Sequence, residues 1–330
     1  MMPSPMRRAG AVLFSVLAVC AAAAAPASAD GDVASPLANS PTGNSLTLAL
    51  VGAGREDAVV AGQAFSVHGI VNPFQAGQLV TVTFTQRGAV AQESTVPIVA
   101  AADGSGTFDV AFTPRKAGRV TIKAVTTATP VHPSLTEDGL EVTVLGKRVG
   151  SGAKGASVRE LQRLLARKGY VVGKRGVYDA RTARAVMAFR KVTGMRRSFS
   201  VNRAVIRRLA AGRGNFRVKF PKHGRHVEAD ISRQVMVFAN GAKVERIYHI
   251  SSGAPATPTI LGHYRVYRRD LGTNAKGMVN SSYFIRGYAI HGYKDVPPYN
   301  ASHGCLRVPV PDAMSIFKWV RMGTRVDTYR

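Results

Sequence analysis

Cysteine is almost absent: two thiols in 330 residues, Cys20 and Cys305, and the first lies in an apolar N-terminal run. If that run is removed on export, one thiol remains and no internal disulfide can form. Reactivity then becomes the reason for keeping Cys305. Acidic side chains are also scarce, 19 against 45 Lys and Arg, for a net charge of +26. Past residue 29 no apolar stretch is long enough to span a bilayer. No nucleic-acid reader motif is present either, so basicity alone does not make this a nucleic-acid protein.

The N-terminus carries Arg7 and Arg8, then an apolar segment from Ala9 to Ala25, then Ala27-Ser28-Ala29. This is the order of a secretory signal, with cleavage predicted after Ala29 and no stable membrane anchor afterwards. Val19 before Cys20 fits a lipoprotein signal poorly, and an Arg pair alone does not specify twin-arginine export. The charge is uneven. Residues 30–146 hold 6 basic and 10 acidic side chains, 147–213 hold 19 and 2, and 214–330 hold 18 and 7. The two basic segments suit an anionic partner, and outside the cell an anionic cell-wall polymer is one candidate.

Residues 30–45 read as a Ser/Pro/Asn/Gly linker. Residues 46–146 read as short strands: Val80 to Phe84, Thr107 to Phe112, Val120 to Val125 and Glu141 to Leu145 alternate between turn signals. The spacing predicts an immunoglobulin-like β-sandwich. His68 and His132 lack a second metal-binding residue at suitable spacing and are read as surface or loop histidines.

Residues 147–213 turn helical. Val158, Leu161, Leu164 and Leu165 follow a helical period behind a capping box of Ser157 and Glu160. Arg159, Arg163 and Arg167 recur on another face. A second helix is expected from near Asp179 to Gly194, and a third carries Val205, Ile206 and Leu209. With Leu161-Gln162, Gly169-Tyr170, Gly176-Val177-Tyr178, Thr182, Ala185-Val186 and Phe189, the segment resembles the three-helix peptidoglycan-binding domain of wall enzymes. Arg175 stands where that family often has aspartate. A purely solvated arginine face is the competing reading.

Residues 214–330 read as mainly β. A hairpin is expected over 234–250 around Asn240-Gly241, with strands over 263–269, 283–291 and 325–329. One helix after Pro311-Asp312 carries Ala313, Ile316, Phe317 and Val320 on one face, with Gly323 as its stop. His223, His226, His249 and His263 read as isolated, and Tyr283 and Phe284 as core or cleft wall.

The chemistry concentrates at His291-Gly292 and Ser302-His303-Gly304-Cys305-Leu306-Arg307. Lowering a thiol from ~8.5 to neutrality takes roughly 2 kcal/mol, within reach of a nearby imidazolium. His291 is expected to close a strand and aim its ring at the sulfur, with the Gly292 carbonyl fixing the tautomer. Gly304 is expected to allow a tight turn whose N–H groups face an oxyanion, and Arg307 to hold a substrate carboxylate. His291, His303 and Cys305 also make a conceivable zinc set, but His-x-Cys is cramped and no fourth ligand follows. No metal or cofactor is expected.

Together with Ser251-Ser252-Gly253, Thr257-Pro258 and Gly262, these residues resemble the signature of the L,D-transpeptidases, the YkuD family. The resemblance implies a multidomain chain ending in an L,D-transpeptidase catalytic domain that cross-links peptidoglycan stem peptides in the cell envelope. It implies Cys305 as nucleophile, His291 as base, Gly292 as its orienter, and His303 and Gly304 in the oxyanion region. Arg307, Ser302 and Tyr288 are then expected to touch substrate. The stretch from His291 to Ser302 is shorter than that family usually shows. An L,D-carboxypeptidase with water as acceptor, or a non-catalytic wall-binding protein, remains open at this point.

Overall fold

Alternation makes the N-terminal strands. In Gly118–Thr126 the side chains of Val120, Ile122 and Ala124 are buried while their neighbours face out, and Leu79–Gln86 buries Val80, Val82 and Phe84 in the same way. A computed structural model describes residues 43–330, except 131 and 148. The expected signal peptide and most of the linker lie outside the described residues. In chain order the first strands are β1 (Ser45–Val51), β2 (Ala58–Val60), β3 (Phe65–Asn72), β4 (Leu79–Gln86) and β5 (Ala89–Pro97). They are followed by β6 (Val99–Ala100), β7 (Gly106–Phe112), β8 (Gly118–Thr126) and β9 (Thr136–Leu145). Sheets ordered β1-β3-β7-β6 and β2-β9-β8-β4-β5 enclose one apolar cluster, in which Phe84 stacks on Phe112 at 4.6 Å. His68 sits on β3 against exposed Asp109, as an ordinary surface pair.

Three helices follow, α1 (Ala156–Arg167), α2 (Ala180–Val192) and α3 (Arg203–Ala210). Asp179 caps α2 by accepting from Thr182 N, and Asn202 caps α3 through Val205 N. The expected capping box on α1 does not form. Gly155 holds the N-cap at φ 99° without a side-chain bond, and Glu160 accepts instead from Arg163 Nε at 2.9 Å. The Gln162 amide joins the rest, donating to Lys174 O, Val177 O and Thr182 Oγ1 and accepting from Gly176 N.

The C-terminal part opens with a 3-10 turn (Pro221–His223) and folds into two further sheets. The strands are β10 (Arg225–Asp230), β11 (Val235–Asn240), β12 (Lys243–His249), β13 (Gly262–Arg265), β14 (Arg268–Thr273), β15 (Val279–Ile285), β16 (Tyr288–Tyr293), β17 (Leu306–Pro309) and β18 (Arg325–Tyr329). Sheet order is β12-β11-β10-β18-β13 and β14-β15-β16-β17, with α4 (Val310–Trp319) against the second. Val227, Phe238, Phe284, Ile290, Leu306 and Trp319 share the apolar cluster between them.

Three local expectations change. Asn240 pairs with Lys243, so Gly241 and Ala242 form the hairpin loop and Asn240 ends the strand. The expected strand over 263–269 divides because the backbone changes partner: Val266 N donates to Thr324 O, whereas Tyr267 N donates to Tyr283 O in the other sheet. The expected strand over 283–291 is a hairpin. Ile285 pairs with Tyr288 across a turn at Arg286-Gly287, where Arg286 adopts φ 49°.

The three segments share a core. One cluster joins Ala58 and Leu145 from the sandwich, Leu164, Phe189 and Leu209 from the helices, and Val235, Val237 and Ile247 from the last part. Gly43–Arg330 is accordingly one compact unit. Polar locks tie the seams. Lys168 Nζ reaches Glu56 Oε1 at 2.8 Å, Gly212 O and Asn215 Oδ1. Arg181 contacts Asp312 at 2.7 Å. Lys191 Nζ meets Gln234 O, His249 Nδ1 and Ile250 O. Burial and the Arg197 charge push the Lys191 ammonium down to about 6. His249 Nε2 faces Val296 O and must donate to it, which leaves Nδ1 as an acceptor. All three partners of Lys191 therefore accept, so the cage suits the protonated amine, the form that burial disfavours.

A shared core predicts shared unfolding. Phe189 is fully buried, and its ring lies where a Gly214 Cβ would stand. Phe189→Ala should lower stability by about 3–5 kcal/mol. Calorimetry should still show one transition for the whole unit; two separated transitions with only one displaced would contradict the shared core.

Candidate active site

β16 and β17 run parallel, with Ile290 opposite Leu306 and His291 opposite Arg307. Opposed residues in a ladder face the same way, and successive residues alternate. Ile290, Leu306 and Val308 therefore enter the core. His291, Tyr293 and Arg307 take the other face, and Cys305 joins it beside Ala289, Tyr283 and Met278. Gly292 faces α4, where a Cβ would come within 2.6 Å of Ala313 Cβ. Parallel strands need a crossover of about a dozen residues or more. The short stretch before Cys305, residues 294–305, meets this minimum.

The turn into β17 is built from Ser302, Gly304 and Tyr288. Ser302 Oγ donates to Cys305 O at 2.6 Å and accepts from Gly304 N at 3.1 Å. Gly304 has φ 110°, and a Cβ there would overlap the Tyr288 ring. Three expectations change as a result. Ser302 is 1 % exposed with its hydroxyl already bonded, so it shapes the turn and does not face substrate. Tyr288 lies on the core side of β16 and packs against Gly304. The Gly304 N–H bonds within the turn and does not face an oxyanion; among the described residues, the His303 and Cys305 N–H groups donate to no other protein group. His303 itself is exposed.

His291 Nδ1 lies 2.9 Å from Gly292 O. A carbonyl only accepts, so Nδ1 carries the proton and Nε2 keeps its lone pair. Burial, with the Arg307 charge, lowers the His291 pKa to about 4. Burial raises the Cys305 thiol above its ordinary value, against the Ala289 N–H and the charges of Arg307 and Lys276. An imidazolium at His291 would lower the thiol; burial instead favours a neutral thiol and a neutral imidazole. Among the described residues Sγ makes no hydrogen bond to His291. It points at Gly287 O, 3.7 Å away. That carbonyl belongs to the hairpin turn read from sequence as unbroken strand.

Other neighbours were missed as well. The Arg307 guanidinium stacks over Tyr293 at 4.2 Å, and the Tyr293 ring stands edge-on to His291 at 5.7 Å. Tyr293 follows His291 by two residues on a strand, so period-2 reading would have found it. Lys276 is brought near by the β14–β15 loop, for which the sequence carries no signal. Arg307 forms no ion pair among the described residues, which leaves its charge available to a substrate carboxylate.

A family model for the L,D-transpeptidase catalytic domain, YkuD, matches residues 224–327, and a peptidoglycan binding domain model matches residues 154–209. An L,D-transpeptidase structure from Xylanimonas cellulosilytica is 31% identical, covering 56% of this chain and 98% of that one at a TM-score of 0.50. The chain belongs to the YkuD family of L,D-transpeptidases. An L,D-transpeptidase from Stackebrandtia nassauensis is 17% identical, over 56% of this chain and 96% of its own, with a TM-score of 0.36. One from Mycobacterium tuberculosis is 19% identical, over 32% and 58%, with a TM-score of 0.31. No curated protein matches the chain. Among the described residues no helix is long and apolar enough to cross a membrane.

The raised thiol pKa predicts that Cys305 alkylates with iodoacetamide more slowly than free cysteine at neutral pH, at a rate still climbing above pH 9. A plateau near neutrality would reveal a thiolate already formed. Gly304→Ala must displace Tyr288 and strain a positive φ, so it should cost about 1–3 kcal/mol on chemical denaturation and most of the activity.

Proposed function

We propose that this YkuD-family chain is a secreted cysteine L,D-transpeptidase that cross-links peptidoglycan in the cell envelope. The observation that carries this reading is the shared face of Cys305, His291 and Arg307, with the His291 tautomer fixed by Gly292 O. In the proposed reaction the thiol rotates from Gly287 O toward the His291 Nε2 lone pair. The proton passes to Nε2 as sulfur attacks the carbonyl between the L-centre and the D-residue of a tetrapeptide stem. The Cys305 and His303 N–H groups receive the oxyanion. Collapse of the intermediate returns the proton to the departing D-alanine amine and leaves a thioester on Cys305. An amine of a neighbouring stem, deprotonated by His291, then displaces the sulfur and forms the cross-link.

The neutral pair suits this sequence. With His291 near 4, the base is unprotonated at physiological pH, and no thiolate stands exposed between turnovers. Arg307 is the carboxylate anchor, held upright by Tyr293. The helical part binds glycan, although its arginine stripe is only partly free: Arg163 pairs with Glu160, and Arg167 with Glu56 at 3.4 Å.

The test uses the whole 43–330 unit, since its core is shared, with a disaccharide-tetrapeptide as substrate. D-alanine and cross-linked dimers should appear, and Cys305→Ala should yield neither; a fully active Cys305→Ala protein would end the assignment. His291→Gln should reduce turnover by about 10²–10⁴-fold. Activity should fall only as pH drops through about 4, because the base is lost once His291 is protonated there. Tripeptide without dimers would identify water as acceptor and the chain as an L,D-carboxypeptidase.

A further inference from the structure

On the five-stranded sheet, outside the Cys305 face, three residues far apart in sequence converge. His263 on β13 lies directly opposite Asp327 on β18, and the 3-10 turn brings His223 over the same carboxylate. His223 Nδ1 is 3.0 Å from Asp327 Oδ2, and His263 Nδ1 is 2.7 Å from Asp327 Oδ1. The three potential ligand atoms all lie within 4.8 Å of one another.

The surroundings fit a cation. The Asp327 side chain is fully buried, and the two imidazoles are its only ionic partners among the described residues. Lys219 sits over the Phe220 and Tyr329 rings and not on the carboxylate. Glu228, opposite Asp327 on β10, accepts from Lys219 N, Phe220 N and Tyr329 Oη and fixes the segment that carries His223. Phe220 stacks on the His223 ring at 5.2 Å and meets His263 edge-on at 4.8 Å, so one ring flanks both candidate ligands. The His263 side chain is 54% exposed, which leaves one side for entry and for a water ligand.

We propose that His223, His263 and Asp327 bind a divalent zinc-type ion, which pins the C-terminal strand to the turn at 221–223. Two histidines, a carboxylate and a solvent position form a recognised zinc donor set. Zinc–ligand bonds near 2.0–2.1 Å set N···O edges of about 3.3 Å in a tetrahedron. The observed separations are slightly shorter, and half-exposed His263 has room to swing out. Without an ion each Nδ1 donates its proton to the carboxylate; on binding that proton leaves Nδ1, whose lone pair goes to the metal, and the neutral ring carries its one proton on Nε2. This site is separate from the thiol chemistry and does not depend on it.

Metal-stripped full chain, titrated with zinc chloride in a calorimeter, should take up one Zn²⁺ per molecule and melt several degrees higher, reversibly with chelator. Affinity should fall at least 100-fold in His263→Ala and in His223→Gln, each checked for folding by circular dichroism. Cobalt(II) should give a d–d spectrum without a thiolate charge-transfer band. No uptake, uptake unchanged in both variants, or a thiolate band assigning the ion to Cys305 would each overturn the proposal.

Discussion

The parallel pairing of β16 with β17 is the constraint on which the site depends. It brings residues on either side of the 294–305 crossover into register and puts His291, Cys305 and Arg307 on one face. A one-residue slip of β17 would turn Cys305 and Arg307 away from the His291 face and expose Leu306. Ile290 and Leu306 are fully or almost fully buried, so the apolar face sets the register and the reactive face follows. Gly292 and Gly304 then supply close approach, one to α4 and one to Tyr288.

The crossover itself is held partly from outside the two C-terminal sheets. Val296 O accepts from His249, whose other nitrogen accepts from Lys191 on α2, and Pro298 O accepts from Arg197 just past that helix. Ser251 Oγ donates to Tyr299 O, and Ser252 O receives both Ala301 N and Ser302 N. The helical segment thus contributes to the shape of the turn that carries Cys305. This is the physical content of a core shared by three segments: the order of the reactive loop rests partly on side chains that read, in sequence, as belonging to another module.

Electrostatics at the site follow from burial more than from pairing. The chain carries +26, yet at the thiol burial outweighs the charges of Arg307 and Lys276, and at His291 burial outweighs the Gly292 carbonyl. Positive surroundings lower both the thiol and the imidazole, whereas desolvation raises one and lowers the other. The result is a neutral thiol and a neutral imidazole on one face of the sheet.

The sequence by itself determined the strand alternation of Val80–Val82–Phe84, the helical period of Leu161 and Leu164, and the Cys305 and His291 motifs, because each is a local pattern with its own physical period. It missed the turn at Arg286-Gly287, since apolar residues continue on both sides and hide the reversal. It also took His223 and His263 as isolated and Ser302 as substrate-facing. Only the tertiary structure decided these points, because β-pairing joins residues such as 263 and 327, and burial determines whether a hydroxyl or a thiol meets water. Local periodicity is written along the chain; which faces meet, and what they desolvate, is settled only by the pairing of distant strands.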